Sequence, residues 1–355
     1  MSDDSLIGAY LGEYQLESLV GQGGMARVYR GLDSQSRRMA AIKVIDASFQ
    51  DDLDYRARFE REAQAISRLH HPNIVKLYRY GEINGVIYIA MQYVAGADLA
   101  SVMDACHSGG NWLNLADVCH LTTQVASALD YAHAQGVIHR DVKPSNILIS
   151  REGQAVLTDF GLALLTEVGT RGEVFGTPYY ISPEQAISSA GAVPQSDQYS
   201  LAIIIYQMLT GILPFNAGNP MDTAIMHITQ PPDAPSKMRP ALPAEVDAVL
   251  LKALEKKPDE RFASCLEMAA ALEQACKNSA LYQPDGSPLL SEAVEKAMPL
   301  LPTLPAPGRK VDEKASRART HASKATALAR RRGWALVLIV LLALLAFFAW
   351  LTLLS

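Results

Sequence analysis

Apolar positions in the first hundred residues follow the patterns of short strands, with one helical segment among them. Strands are predicted at residues 14–20, 26–31, 39–44 and 86–94. Between the last two strands, apolar side chains recur at steps of four, four and three residues from Tyr55 to Ile66, which predicts a helix over 54–69. The N-terminal part of the chain is therefore expected to be rich in strands.

The pattern becomes helical after residue 100. Asn114 is a predicted N-cap, and the apolar stripe that follows it predicts a helix that Gly136 ends. Residues 201–209 are apolar on every side and Gly211 lies just beyond them, which indicates a helix buried in a domain centre. A larger, mostly helical part is expected to follow the strands.

Two short β-branched runs interrupt the helical part. They lie at residues 147–150 and 155–158 and predict a hairpin with a four-residue turn. Antiparallel pairing about such a turn sets Ile147 opposite Thr158.

Polar side chains gather at the open end of this hairpin. Asn146 and Asp159 are expected there side by side, where two oxygen ligands could share one hard cation. Asp141 and Lys143 lie just upstream. Carboxylates, an amide and a lysine suit a reaction that is catalysed by positioning and charge neutralisation rather than by covalent chemistry.

A glycine-rich segment, Gly-Gln-Gly-Gly-Met at residues 21–25, joins the first two predicted strands. Glycines let backbone N–H groups approach phosphate oxygens closely, although an ordinary glycine hairpin has the same pattern. Glu62 falls on the apolar face of the first helix and needs a cation, for which Lys43 in the third strand is the candidate. A surface pair of this glutamate with Arg58 or Arg61 is the alternative.

Residues 139–146 read His-Arg-Asp-Val-Lys-Pro-Ser-Asn, and residues 159–161 read Asp-Phe-Gly. With the glycine-rich segment and the strand lysine, they resemble the signature set of eukaryotic-type (Hanks-type) serine/threonine protein kinases, in their bacterial branch. The resemblance covers about residues 10–276. It implies that Asp141 orients and deprotonates a substrate hydroxyl and that Lys143 steadies the transferring phosphoryl group.

The resemblance also implies a binding site for ATP and Mg²⁺, with Mn²⁺ as an alternative ion. Asn146 and Asp159 would hold the metal, and Lys43, paired with Glu62, would contact the phosphates. The nucleotide contacts assigned in this way are Val20, Gly21, Gln22, Gly23, Gly24, Val28, Ala41, Lys43, Met91, Gln92, Tyr93, Val94, Asp98 and Leu148. In this set, Met91 is the gatekeeper, residues 92–94 bind adenine through their backbone, and Asp98 contacts the ribose.

This chain departs from the family pattern at a few positions. Ala26 stands where the family has the third glycine of its loop, and Gln92 stands where many relatives have glutamate. Ser182 replaces an alanine. The backbone contact at residue 92 makes that change of side chain a small one.

Four further residues have structural roles by the same resemblance. Glu184 would pair with Arg261 in a buried ion pair, and Asp197 would bind the backbone of the catalytic loop. Thr177 would hydrogen-bond Asp141 and Lys143, a combination typical of kinases that act on serine or threonine.

Family members with an arginine before the catalytic aspartate are usually switched on by phosphorylation, and Arg140 occupies that position. Thr170, followed by Thr166, is the predicted site, modified in trans by a second copy of the chain. A dianionic phosphate would neutralise an arginine pocket and order the segment.

Composition adds limits. The 355 residues carry a net charge of -5, which gives no nucleic-acid signature. The four cysteines lack paired spacing and are interpreted as reduced thiols rather than disulfide or zinc ligands. Residues 1–4 are acidic and include no signal peptide, so the N-terminal domain is expected in the cytosol.

The C-terminal sequence differs from the rest. Residues 277–333 are predicted to be a linker, first proline-rich and then basic, that either lies on anionic headgroups or is a solvated spacer. Residues 334–354 have no charge and are long enough for a membrane-spanning helix, with Trp334 and Trp350 near its ends. The basic residues 330–332 place the preceding domain in the cytosol and Ser355 on the far side.

The predicted fold is α+β: a bilobal kinase with a small antiparallel sheet and one helix, then a helical lobe, a linker and one transmembrane helix. The predicted function is transfer of the ATP γ-phosphate to protein serine or threonine hydroxyls by a membrane-anchored enzyme. Two alternatives stay open, a catalytically dead scaffold that binds nucleotide and a small-molecule phosphotransferase.

Overall fold

The computed structural model of the protein describes residues 6–23, 26–45, 53–160, 178–283 and 288–298. Side chains of residues 53–58, 62, 288 and 289 are not among the described parts. All the described residues belong to the first of the two units into which the chain divides, Met1–Leu300.

An antiparallel sheet of six strands forms the N-terminal lobe. Its strands are β1 (Tyr10–Leu11), β2 (Tyr14–Gln22), β3 (Ala26–Asp33), β4 (Met39–Ile45), β5 (Leu77–Ile83) and β6 (Val86–Gln92). They lie in the order β1-β2-β3-β4-β6-β5, and one helix, α1 (Leu53–Ser67), accompanies them. The predicted strand-rich region with one helix is confirmed.

Strand periodicity determines which face of the sheet each side chain takes. Along β4, Ala40, Ile42 and Val44 enter one core with Leu16 and Tyr29. The alternate positions face the opposite side, where Phe59 of α1 is buried. Lys43 belongs to this second set, so the period of two turns its side chain toward α1 and the helical lobe.

The helical lobe follows. Its helices are α2 (Leu99–Ser108), α3 (Leu115–Ala134), α4 (Pro183–Ile187), α5 (Pro194–Thr210), α6 (Pro220–Thr229), α7 (Pro235–Met238), α8 (Ala244–Ala253), α9 (Cys265–Cys276) and α10 (Pro288–Ala297). Short 3-10 turns lie at Pro144–Asn146, Ser189–Gly191 and Pro258–Glu260. A second antiparallel sheet consists of β7 (Gly96–Asp98), β8 (Ile147–Ser150) and β9 (Ala155–Leu157).

The sequence predicts the start of α3 and the end of α5, whereas α5 begins at Pro194, before the expected Ser196 and Asp197. The Asn114 side chain accepts a hydrogen bond from the Ala116 amide at the start of α3. Gly211 takes a left-handed conformation, with φ 75°, directly after α5. Most of α5 is buried, as expected of a helix that is apolar on every side.

The hairpin β8–β9 corrects one prediction. Ile147 pairs with Leu157, and not with Thr158. The loop has three residues rather than four, because the Ser150 amide donates to the Gln154 carbonyl and Gly153 adopts φ 77°. A three-residue hairpin loop of this kind ends on a residue with positive φ, for which glycine is suited.

The strand β7 depends on a glycine whose role the sequence did not indicate. A Cβ at Gly96 would lie 1.9 Å from the Ile149 carbonyl oxygen. Only glycine therefore lets β7 approach β8 closely enough to pair. Asp98, at the end of this strand, caps the next helix.

Helix α10 falls within the stretch predicted to be a linker. Leu290, Ala293 and Val294 are buried, and the helix packs against α2 and β7. These apolar residues recur at steps of three and one along a single helix face, a signal too short to separate from the proline-rich surroundings. The linker prediction is therefore wrong for residues 288–297.

Within the described part of the chain, no helix has the length and apolar character needed to cross a bilayer. The predicted span at residues 334–354 and most of the predicted linker lie outside that part.

Candidate active site

Lys43 of β4 and Asp159, the first residue of the Asp-Phe-Gly segment, meet where the two lobes face each other. Lys43 Nζ on β4 lies 2.8 Å from Asp159 Oδ1, just after β9. The predicted partner of this lysine was Glu62, which lies in α1, but its side chain is outside the described residues. The structure thus brings Lys43 to the acidic cluster, and the pair with Glu62 stays a prediction.

The catalytic loop, residues 139–146, forms a second charged group. Lys143 Nζ donates to Asp141 Oδ2 at 2.7 Å. The Asn146 amide nitrogen donates to the Asp141 carbonyl oxygen at 2.8 Å and to its Oδ2 at 3.0 Å. Asn146 itself is buried. These bonds fix the orientation of the Asp141 carboxylate.

The hairpin connects the two groups. The Thr158 amide donates to the Asn146 carbonyl at 2.9 Å, so Asn146 and Asp159 flank the same end of the β8–β9 pair. Asn146 and Asp159 are therefore neighbours, as predicted, although the strand pairing differs by one residue from the prediction. The shorter loop changes which residues pair, but both strands still end beside each other at this end of the hairpin.

Two residues at the site have a left-handed backbone. Arg140 has φ 68° and Asp159 has φ 62°. Aspartate tolerates this region better than most residues, whereas arginine has no local compensation. Such conformations cost of order 1–3 kcal/mol and persist where surrounding contacts impose them.

The contacts that hold the catalytic loop come from α5 and from Thr158, the residue that follows β9. Asp197 accepts hydrogen bonds from the backbone amides of His139 and Arg140, both at 2.8 Å. The His139 ring contacts the Thr158 carbonyl through Nε2 at 2.9 Å. The predicted contact of Asp197 with the backbone of the catalytic loop is thus present.

Two other contacts to this loop were missed by sequence reasoning. His133 Nε2 lies 2.7 Å from Asp197 Oδ2, and Gln185 Nε2 donates to the Arg140 carbonyl at 2.9 Å. Neither residue carries a sequence signal of its own. The position of His133 on the final turn of α3, shortly before the loop, was the one available hint.

The charge of Asp159 is maintained against burial. Burial raises the pKa of its carboxyl and is the largest single influence, but the charge and hydrogen bond of Lys43, together with smaller contributions from His139 and Lys143, lower the pKa more in total. The pKa therefore lies below its ordinary value. The carboxylate is ionised at neutral pH and available to a cation.

The donor set fits Mg²⁺. Both hydrogens of the Asn146 side-chain amide are directed to Asp141. The side-chain oxygen of Asn146, Oδ1, is therefore left for a ligand. The ionised Asp159 supplies a carboxylate beside it. Hard cations such as Mg²⁺ prefer oxygen ligands of these two kinds and retain several waters.

The predicted phosphate loop leaves room for a ligand. A Cβ at Gly21 would meet nothing within 4 Å, and one at Gly23 would lie 3.8 Å from the Ala26 carbonyl oxygen. Gly24 lies outside the described residues. Packing within the described protein therefore does not require glycine at positions 21 and 23. Close approach of a phosphate to the backbone would explain why glycine occurs there.

The residues predicted to enclose the base lie on paired strands. Val28 pairs with Lys43 and Ala41 pairs with Met91 in strand register. Leu148 of β8 pairs with Asp98 of β7 in the same way. Strand pairing thus accounts for the proximity of segments far apart in the sequence. Val20 and Gln22 lie in β2, at its end next to the glycines.

The predicted hinge shows one restriction. The backbone N–H of Gln92 donates to the Lys76 carbonyl at 2.8 Å, so this N–H group is not available to adenine. Tyr93 and Val94 follow it, and Val94 packs beside Ala41 in the same apolar cluster. The bond to Lys76 uses only the N–H of Gln92, so contacts of adenine with its carbonyl and with the backbone of Tyr93 and Val94 stay a prediction.

Asp98, predicted to contact ribose, also has a structural contact. Its carboxylate accepts hydrogen bonds from the Ser101 amide at 3.0 Å and from the Ser101 hydroxyl at 2.8 Å, and so caps α2. Each carboxylate oxygen has a second lone pair that can accept from a ribose hydroxyl.

The predicted ion pair of the helical lobe is present and is bidentate. Arg261 Nη1 and Nη2 donate to the two oxygens of Glu184, each at 2.9 Å. The remaining N–H groups of Arg261 donate to backbone carbonyls of Glu255, Gln195 and Lys256. All five donors of the guanidinium are therefore used.

The predicted regulatory residues, Thr166 and Thr170, and the predicted Thr177 lie outside the described residues.

Comparison with known proteins identifies the family. The family model of the protein kinase domain matches residues 14–277, so the chain belongs to the protein kinase family. The crystal structure of the PknI kinase domain from Mycobacterium tuberculosis is similar, with a TM-score of 0.61 and 32% sequence identity, over 76% of this chain and 98% of that one.

Curated relatives agree with this assignment. The chain is 38% identical to the serine/threonine-protein kinase PksC of Streptomyces coelicolor over 297 residues, or 78% of this chain and 53% of the relative. It is 37% identical to the serine/threonine-protein kinase PknH of Mycobacterium tuberculosis over 85% of this chain and 48% of the relative. The chain thus spans about half the length of these relatives.

Proposed function

We propose that the chain is a serine/threonine protein kinase that transfers the γ-phosphate of ATP to hydroxyl groups of protein substrates. The single observation that supports this most strongly is the convergence of three separate segments, which bring Lys43, Asp159 and the loop residues Asp141 and Asn146 into two adjoining charged groups. The relatives PksC and PknH, both serine/threonine-protein kinases, agree with it.

Each residue has a role that its geometry supports. Asp141, held by Lys143 and Asn146, presents an oxygen that can accept the proton of a substrate hydroxyl. Lys143 lies beside it and can neutralise charge on the moving phosphoryl group. Lys43, on the far side of Asp159, is placed to bind the α- and β-phosphates.

Asn146 and Asp159 would hold Mg²⁺, or Mn²⁺, at this site. The ion would neutralise charge on the ATP phosphates. In its presence, Lys43 would exchange its hydrogen bond with Asp159 for phosphate oxygens, because one ammonium can serve both partners in turn.

Labelled phosphate tests this function. The Asp141→Asn variant of the full chain, incubated with Mg²⁺ and γ-labelled ATP and a generic protein substrate, is expected to lose incorporation almost entirely. The matched control is Asp104→Asn, which removes an exposed carboxylate of α2 outside the cleft. Equal incorporation by wild type and Asp141→Asn would contradict the function. No incorporation by wild type would indicate a nucleotide-binding scaffold instead.

We infer a membrane location from the sequence alone. Residues 334–354 would cross the membrane once, with the kinase domain in the cytosol and Ser355 on the far side. The full chain is expected in the membrane fraction and a variant lacking residues 334–355 in the soluble fraction, with kinase activity retained. A truncated chain that remains with the membrane would contradict the anchor.

Autophosphorylation is the third part of the proposal. Arg140 Nε is buried and has no hydrogen-bond partner among the described residues. A phosphate on Thr170, or on Thr166, would provide one and would offset the cost of leaving that donor unpaired. Because the modified segment must reach a catalytic site, a second copy of the chain is the proposed enzyme, in a homodimer.

A mixing experiment tests the autophosphorylation. Wild type incubated with tagged Asp141→Asn and ATP is expected to place phosphate on Thr170 of the tagged chain, as peptide mapping would show. Phosphate absent from both Thr166 and Thr170 would contradict this part alone.

A further inference from the structure

A cavity of about 330 Å³ lies behind the catalytic loop, away from the nucleotide cleft. Asp130 and His133 of α3 and Cys265, the first residue of α9, line it. One ligand atom from each of these three residues lies within 4.8 Å of the others. The phosphoryl transfer proposed above uses none of these side chains directly.

His133 presents an unpaired nitrogen to this cavity. Its Nε2 lies 2.7 Å from Asp197 Oδ2, and its Nδ1 lies 3.9 Å from Asp130 Oδ1, too far for a hydrogen bond. The side chain is only 9% exposed. Since a carboxylate can only accept, Nε2 carries the hydrogen, and a ring with its hydrogen on Nε2 alone has its lone pair on Nδ1. A metal-bound histidine is oriented by a carboxylate in the same way.

Asp130 and Cys265 are fixed relative to each other by the start of α9. The two oxygens of Asp130 accept hydrogen bonds from the backbone amides of Cys265 and Leu266, both at 2.9 Å. The Cys265 side chain is buried. A thiolate at this position would benefit from the positive end of the α9 dipole.

The geometry points to a site for a zinc-class divalent ion, bound by Asp130, His133 Nδ1 and the Cys265 thiolate, with water from the cavity as fourth ligand. One oxygen, one nitrogen and one sulfur suit Zn²⁺, which is borderline-soft and prefers four ligands. Around a tetrahedral zinc ion the ligand atoms are separated by about 3.3–3.8 Å, so this cluster would close by about 1 Å.

Binding releases one proton. The S–H bond of Cys265 breaks as the metal–sulfur bond forms, and the proton leaves to solvent.

The consequence for the enzyme is mechanical. The ion would join α3 to α9, and His133 would transmit that restraint to Asp197, which binds the amides of His139 and Arg140. The ion would thus stabilise the support of the catalytic loop. Its ligands come from two helices far apart in the sequence, which explains why cysteine spacing did not indicate the site.

Cobalt provides the test, because a Co²⁺–thiolate bond gives a charge-transfer band that oxygen ligands do not. The full chain without nucleotide is expected to bind one Co²⁺ with this band, Zn²⁺ should displace it, and Zn²⁺ should raise the melting temperature. Cys265→Ser is expected to lose the band, and Asp130→Asn to bind Co²⁺ about tenfold or more weakly. Cys106→Ser, which removes a buried thiol in α2, should behave as wild type.

Metal-free melting curves of the variants keep the result interpretable. Cys265→Ser should melt close to wild type without metal and lack only the increase that Zn²⁺ gives. Wild type without a thiolate band at stoichiometric Co²⁺, or the same band in Cys265→Ser, would overturn the site. Either result would leave the proposed kinase function unaffected.

Discussion

Two of the regions where opposite charges meet differ sharply: the cleft between the lobes and the interior of the helical lobe. In the cleft, Lys43 and Asp159 are 16% and 28% exposed, and Lys143 and Asp141 are 38% and 37% exposed. In the helical lobe, the Arg261 side chain is 0% exposed and Glu184 is 14% exposed. The same kinds of side chain thus stand in very different surroundings.

The hydrogen bonds differ in the same sense. Arg261 uses all five of its N–H groups, and Glu184 also accepts from the Ser196 hydroxyl at 2.6 Å. Lys43 has one described partner, and its other two N–H groups can still bind a ligand. An ion pair whose hydrogen-bond donors are all used stabilises the fold. An ion pair with unused donors can also bind a ligand or exchange partners during a reaction. This difference predicts which substitutions affect stability and which affect activity.

The largest effect is expected from Glu184→Ala. Removing one partner of a buried ion pair leaves the other charge uncompensated and costs about 3–5 kcal/mol. The free energy of unfolding, measured by urea denaturation, should fall by this amount. Asp233→Ala is the matched control, because Asp233 pairs with Lys237 on the surface and should cost at most about 1 kcal/mol. Equal losses of stability in Glu184→Ala and Asp233→Ala would show that burial of the ion pair does not determine its contribution to stability.

Lys43→Met is expected to show the opposite behaviour. Loss of one positioned charge at the phosphates should reduce kcat by about 10²- to 10³-fold. Stability should change by less than about 1 kcal/mol, because the pair is partly exposed. The control, Lys76→Met, removes an exposed lysine. Steady-state kinetics with urea denaturation of the same samples would check both parts, and a stable, fully active Lys43→Met protein would contradict the assignment.

Gly21→Ala should have a smaller, purely kinetic effect. The new Cβ has nothing within 4 Å in the described protein, so stability should be unchanged. With ATP bound, the same Cβ would stand where phosphate oxygens approach the backbone, so the KM for ATP should increase several-fold. Gly96→Ala is the contrasting variant, since its Cβ would collide with the Ile149 carbonyl and destabilise the fold. Unchanged KM in Gly21→Ala would argue against a phosphate at this loop.

The last prediction concerns how steeply stability falls with pH in Glu184→Gln, a smaller difference than the losses above. Burial raises the pKa of Glu184 and is the largest single influence, but the hydrogen bonds from Arg261 and Ser196 and the charge of Arg261 together lower it more, so the folded value lies below the unfolded one of about 4.3. Its stabilising contribution is therefore complete above that pH and is lost as pH falls below it. Unfolding free energies from pH 6 to pH 3 should decline less steeply in Glu184→Gln than in wild type. Parallel curves would show that Glu184 does not titrate in this way.

The sequence predicted the parts of this molecule that depend on local patterns and on the resemblance. The ends of α3 and α5 follow from Asn114 and Gly211, and the resemblance assigned the pair of Glu184 with Arg261, which the structure contains. The face that Lys43 takes follows from strand period.

Other parts depend on geometry that a linear pattern does not record. The register of β8–β9 depends on one residue of loop length, and the approach of β7 depends on the missing Cβ of Gly96. The contact of His133 with Asp197 joins two helices through tertiary packing. Helix α10 forms because an apolar face finds a partner in α2, which its own ten residues do not predict.

Calorimetric titration of ATP tests the central claim most directly, that Asp159 and its neighbours form a site for a metal–nucleotide complex. Wild type should bind ATP much more tightly with Mg²⁺ than with excess chelator. Asp159→Asn should lose most of this difference, and Asp104→Asn should keep it. If Asp159→Asn retains the full Mg²⁺ dependence of ATP affinity, the residues assigned to the site do not hold the metal, and the account of the cleft is wrong.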